Sequence, residues 1–75
     1  MKRSNEEKKA IAAELTELTV MMLKTQPAFG KEKYEFDKLY KKYTDARAAG
    51  EDELAFDLAI ETIALLKKLM RQALN

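Results

Sequence analysis

Seventy-five residues make one domain with a small core, because a chain of this length buries only about 60–65% of the surface its unfolded form exposes. No Cys and no His are present, which excludes disulfides, zinc-finger patterns and haem attachment. Fourteen Lys and Arg stand against 13 Asp and Glu, so no overall field argues for a nucleic acid or an acidic partner.

The first predicted helix covers about 5–24. Ser4 and Glu7 have the capping-box spacing, in which the Ser hydroxyl accepts from an orphan backbone N–H and the Glu reaches back to the cap. Ile11, Leu15, Leu18 and Met22 recur at steps of four, three and four, which places them on one helical face. Val20, Met21 and Leu23 widen the apolar surface near the end. Gln26-Pro27-Ala28-Phe29-Gly30 then breaks the pattern, since a residue before Pro is biased away from helical geometry. Phe29 reads as a staple under the start of the next helix, or as an anchor for a partner.

A second helix is predicted over 31–49. Its inward stripe is Phe36, Leu39, Tyr40, Tyr43 and Ala46, and its outer face mixes Lys with Glu and Asp. Ala48-Ala49-Gly50 forms the exit, with Gly able to take the left-handed cap. The third helix is predicted over 52–73. Acidic residues open it and Lys67, Lys68 and Arg71 close it, which suits the helix dipole at both ends. Two apolar stripes run along it. One is Leu54, Leu58, Leu65 and Leu69, with Thr62 in its gap; the other is Phe56, Ile60, Ile63, Leu66 and Met70. The near-absent hinge at Gly50 makes helices 2 and 3 an antiparallel hairpin, and the longer connector returns helix 1 across it. The expected architecture is all-α, an antiparallel three-helix bundle, with room for dimerisation through helix 3.

Catalytic chemistry finds little purchase here. The only Ser is Ser4, which capping explains, so a Ser nucleophile has neither base nor scaffold. Asp57 and Glu61, one turn apart, are the best carboxylate pair for proton sharing or a hard cation, and they read more simply as the solvent edge of helix 3. No Gly-rich phosphate loop occurs, no metal or cofactor is expected, and the chain does not read as an enzyme. The apolar run from Leu54 to Leu66 is too short and too charged to span a bilayer, and no apolar stretch follows Met1-Lys2-Arg3, so a cytoplasmic location is expected.

What remains is contact. The wide apolar surface of helix 3 and the end of helix 1 make Met21, Met22, Phe56, Ile60, Ile63, Leu66 and Met70 the candidate residues for binding another protein or a second copy. Lys38, Lys41, Lys42 and Arg47 are a candidate basic patch, the basis of a rival reading as a nucleic-acid-associated regulator. Acidic Glu35, Asp37 and Asp45 on the same helix dilute that field.

Two resemblances bear on these readings. Ala49-Gly50-Glu51-Asp52-Glu53-Leu54-Ala55 resembles the inter-helix turn of a tetratricopeptide repeat in its turn Gly and small residue. Lys42 and Tyr43 stand where that motif has Leu-Gly, and Lys67 stands at its terminal Pro, so the segment is read as a generic tight helical turn. The length, charge balance and helix–helix–Gly–helix order are similar to the small helical immunity proteins of bacteriocin producers, which implies a protective, non-catalytic role.

Overall fold

The computed structural model describes residues 3–24 and 30–74, with the side chains of 73 and 74 left aside. Three helices follow in order: α1 Asn5–Lys24, α2 Glu32–Ala48 and α3 Asp52–Leu74. They form the expected three-helix bundle, and no strand occurs among the described residues. Observed and predicted bounds differ by one residue at either end of α2 and at the end of α3. The late start of α2 has a local reason: Lys31 stands at the cap position and makes no side-chain cap bond. The predicted break at Gln26-Pro27 and the Phe29 staple lie outside the described residues.

Local chemistry fixes the ends. The Glu7 N–H donates to Ser4 Oγ at 3.1 Å, so the Ser half of the capping box forms. At the other break, Gly50 adopts φ +78°, a left-handed conformation that an L side chain rarely takes. The Gly50 N–H donates to the Arg47 carbonyl at 3.1 Å and the Glu51 N–H to the Ala46 carbonyl at 2.9 Å. This pair is a Schellman closure, which satisfies the last carbonyls of α2 and reverses the chain within three residues.

Packing centres on α3. At about 1.5 Å per residue its length is roughly 35 Å, close to the 37 Å long axis of the molecule. Both α1 and α2 pack chiefly on α3 and much less on each other. The pairings Arg3 with Glu53, Lys8 with Phe56 and Glu14 with Lys67 climb both helices together, so α1 runs parallel to α3 while α2 runs against it. The core joins Leu15 and Met22 of α1, Phe36, Tyr43 and Ala46 of α2, and Ala55, Ala59, Ile63, Leu66 and Leu69 of α3. Ile11 and Leu18 pack partly against it, so the α1 stripe read from the sequence is the one that faces inward.

The inward line of α3 is not either predicted stripe. It runs Ala55, Phe56, Ala59, Thr62, Ile63, Leu66 and Leu69, taking members of both stripes. Ala55, Ala59 and Thr62 are fully buried, and small side chains there let neighbouring backbones approach closely. Among the described residues Thr62 is the one buried polar side chain, and its hydroxyl donates to the Leu58 carbonyl at 2.7 Å. No buried side-chain polar atom among the described residues is left without a partner.

Candidate functional site

The seven residues nominated for partner binding divide sharply by burial. Met22 and Leu66 are fully buried, and Phe56 and Ile63 are nearly so. These four belong to the intramolecular core, which corrects their assignment to a surface. The reason lies in the topology: a central helix flanked on both sides consumes a wide apolar face internally. Met21 and Ile60 are exposed and Met70 is half-buried.

Val20 and Leu23 beside Met21 are exposed too, and a separate line of partly exposed apolar residues runs along α3. Leu54 is 49% exposed, and Leu58 and Leu65 are half-buried. Leu54 and Leu58 form one wall of a groove of about 570 Å³ between α2 and α3. The opposite wall is Ala46 and Ala49 of α2, whose short side chains cannot fill the space beside two leucines. Lys42, Asp45 and Glu51 stand around its rim. The groove therefore has an apolar floor and charges of both signs at its edge.

A second groove, of about 420 Å³, opens on the other side of α2. Asn5, Lys8, Lys9 and Ala12 of α1 face Arg47 of α2 across it, with Asp52 and Phe56 of α3 at its base. Arg47 is tied down there. Its Nη1 donates to the Tyr43 hydroxyl at 2.9 Å, and its guanidinium lies 5.8 Å from the Tyr43 ring centre and 5.6 Å from that of Phe56. Lys8 Nζ sits 5.9 Å from the same Phe56 centre. Both cations gain from the negative face of the ring.

This arrangement divides the basic patch read from the sequence. Lys42 borders the leucine groove and Arg47 lines the other one, while Lys38 and Lys41 are exposed on α2. The four residues do not line one groove. A helix of 17 residues turns its sides away from one another, and residues five apart, such as Lys42 and Arg47, are separated by about 140°.

The carboxylate pair on α3 also divides. Asp57 accepts from Arg3 Nη2, whereas Glu61 is exposed. Arg3 also grips Glu53: its backbone N–H donates to Oε1 at 3.1 Å and its Nη1 to Oε2 at 2.9 Å. The backbone N–H bond is the largest cause that holds the Glu53 carboxyl below its ordinary value, followed by the guanidinium. The Arg3 guanidinium is raised in turn, first by its bond to Asp57. Asp57 is thus committed to a structural clasp at the start of α1. Among the described residues no group of three or more acidic side chains is placed to hold a metal ion. No described helix is long and apolar enough to cross a membrane.

Sequence reasoning placed Leu54, Leu58 and Leu65 in one of two apolar stripes on α3 and did not nominate them for the site. The signal was there in the small residues Ala55, Ala59 and Thr62, which mark the true contact line and displace the leucines to its edge. Comparison with protein-family models, curated proteins and solved structures finds no match to this chain.

Proposed function

We propose that the protein acts without catalysis, by binding another protein along the outer edge where α3 meets α2. One observation carries this reading: Leu54 stands half in solvent on the wall of an apolar groove that the described residues leave unfilled. Exposed leucines scattered singly are ordinary, but Leu54, Leu58 and Leu65 share one helical edge. The apolar centre with a charged rim is the anatomy of a protein interface. The basic groove supports nucleic-acid binding less well, because Arg47 is engaged with Tyr43 and Phe56 and Asp52 offsets part of the charge.

A photo-reactive residue at position 54 tests the reading in cells that express the protein. The control position is Tyr34, which is 75% exposed on α2. The expected outcome is a defined protein adduct from position 54 and none from position 34. Equal labelling from both positions, or none from 54, would sink the proposal.

A further inference from the structure

We infer that the occupant of this edge is a second copy of the chain, with the two α3 helices packed antiparallel. The inference rests on the protein-binding reading above and names its partner.

The spacing comes first. Leu54, Leu58, Glu61, Leu65, Lys68 and Gln72 follow one another at steps of four, three, four, three and four. That alternation is the spacing by which residues of a paired helix face one neighbour, and here leucines fill its first half and Glu61, Lys68 and Gln72 most of its second. The intramolecular core of α3 runs through Ala55, Ala59, Thr62, Leu66 and Leu69, and the seam lies along its edge: Leu58 and Leu65 pack against the core with one side and keep the other exposed, while Leu54 stands half in solvent. Along the seam the leucines are half-buried or half-exposed, and Glu61, Lys68 and Gln72 are exposed.

Charge order selects both the partner and its direction. On α3 every acidic residue precedes every basic one; Glu53, Asp57 and Lys67 pair within the chain, which leaves Asp52 and Glu61 ahead of Lys68 and Arg71 for a partner. Two such helices side by side in parallel would set like charges together. Antiparallel, each acidic half meets a basic half. A two-fold interface must be self-complementary, and a helix with segregated charge meets that demand against itself.

Within antiparallel pairings, two registers pair leucines: an axis at the height of Phe56 sets Leu54 against Leu58 of the partner subunit but brings Glu51 against Glu61 of the partner subunit, so charge selects the other. A two-fold axis at the height of Ala59 and Ile60 sets Leu54 against Leu65 of the partner subunit. Leu58 then lies beside Glu61 of the partner subunit, and Glu51 meets Lys68 of the partner subunit. An axis half a heptad further along would set Leu58 against Lys68 of the partner subunit and leave no leucine pair. The register between Ala59 and Ile60 thus sets two leucine pairs inside two ion pairs, and the mixed rim of Lys42, Asp45 and Glu51 adds charges of both signs beside it.

The absence of native Cys gives a clean test. Sedimentation equilibrium of the whole chain should show a reversible dimer. Glu51→Lys and Lys68→Glu should each weaken it by about tenfold, and the two together should restore it to within about threefold of the original. Helix content measured alongside confirms that each variant is folded. For orientation, chains carrying Glu51→Cys and Lys68→Cys are mixed and oxidised. The mixture should cross-link much faster than either variant alone. Faster cross-linking of Lys68→Cys alone would overturn the antiparallel arrangement. A chain that stays monomeric at millimolar concentration would overturn the second copy as occupant. In that case an adduct from position 54 that contains a different protein would leave the wider reading standing, and no adduct would remove both.

Discussion

The two neighbours of α3 are held in different ways. Between α2 and α3 the contact is apolar: Phe36, Tyr43 and Ala46 press on the central helix, and no ion pair joins the two among the described residues. Between the N-terminal segment and α3 lie all three ion pairs of the described residues, Arg3 with Glu53, Arg3 with Asp57 and Glu14 with Lys67. Direction explains part of the contrast. The antiparallel hairpin sets opposite dipole ends together, whereas α1 lies parallel to α3 and sets like ends together. Carboxylates on the first turns of α3, gripped by Arg3, offset that crowding of positive ends. A short hairpin needs no guidance to find its register, because Gly50 joins its halves. A helix brought back by a longer connector gains its register from specific polar pairs, over a seam whose apolar part alone would tolerate sliding.

The test that ignores the difference should show the largest effect. Leu66 is fully buried within the shared core. Leu66→Ala should cost about 2–5 kcal/mol, against a total of roughly 4–11 kcal/mol for a domain of this size. Urea titration should show the midpoint moved to a much lower concentration, with both neighbours of α3 lost together. Next in size is Gly50→Ala. An added Cβ meets nothing within 4 Å, so the penalty is the left-handed backbone alone, about 1 kcal/mol. It should appear as a lower melting temperature, and Gly50→Asn should recover part of the loss.

Salt separates the two neighbours. At 1 M the screening length falls to about 3 Å, which weakens exposed ion pairs and leaves apolar contact intact. Hydrogen exchange at the start of α1 should quicken, while α2 and the middle of α3 stay protected. If α2 loosened equally, the contrast would be wrong. A smaller effect of the same kind belongs to Lys67→Ala, which removes a pair at 2.7 Å between half-exposed side chains and should cost roughly 0.5 kcal/mol or less.

The smallest effect is a titration. Arg3 holds the Glu53 carboxyl below its ordinary 4.5. A carboxyl depressed in the folded state contributes stability at pH values above its unfolded value and loses that contribution as pH falls through its folded value. The window therefore lies below about pH 4.5, and Arg3→Ala, which removes the guanidinium but keeps the backbone N–H, should narrow it by moving Glu53 part of the way back up, as read from its side-chain carboxyl resonance. An unchanged Glu53 titration would mean that the Arg3 clasp does not persist in solution.

Much of this architecture was legible because it is local. Ser4, Gly50 and the acidic-to-basic gradient along α3 act within a few residues of where they stand, and they place the helix ends to within one residue. The inward stripe of α1 was equally plain, since only one apolar line runs along it. Two things were not legible. The Arg3 clasp joins residues 50 and 54 apart, and nothing in the pattern of charges selects those partners. The inward line of α3 was ambiguous because apolar residues nearly surround the helix. Size decided it: Ala55, Ala59 and Thr62 fit where helices approach and Leu54 does not. The same ambiguity misplaced the candidate site. Phe56, Ile63 and Leu66 lie on the side of α3 marked by Ala55, Ala59 and Thr62 and so went inside, while Leu54 and Ile60, equally apolar, stand off that line.

The placement of the three tyrosines has a practical consequence. Tyr34, Tyr40 and Tyr43 all lie on α2, and the chain has no Trp. Ultraviolet emission from this protein is therefore a report from one helix. Tyr34 faces solvent, Tyr40 is at the margin and Tyr43 is buried under Arg47, so the three emitters grade from wet to dry along a single element. Far-ultraviolet dichroism, by contrast, sums all three helices. Recorded together on one sample, the two signals would distinguish release of α1, which leaves the tyrosines in place, from melting of the hairpin, which does not.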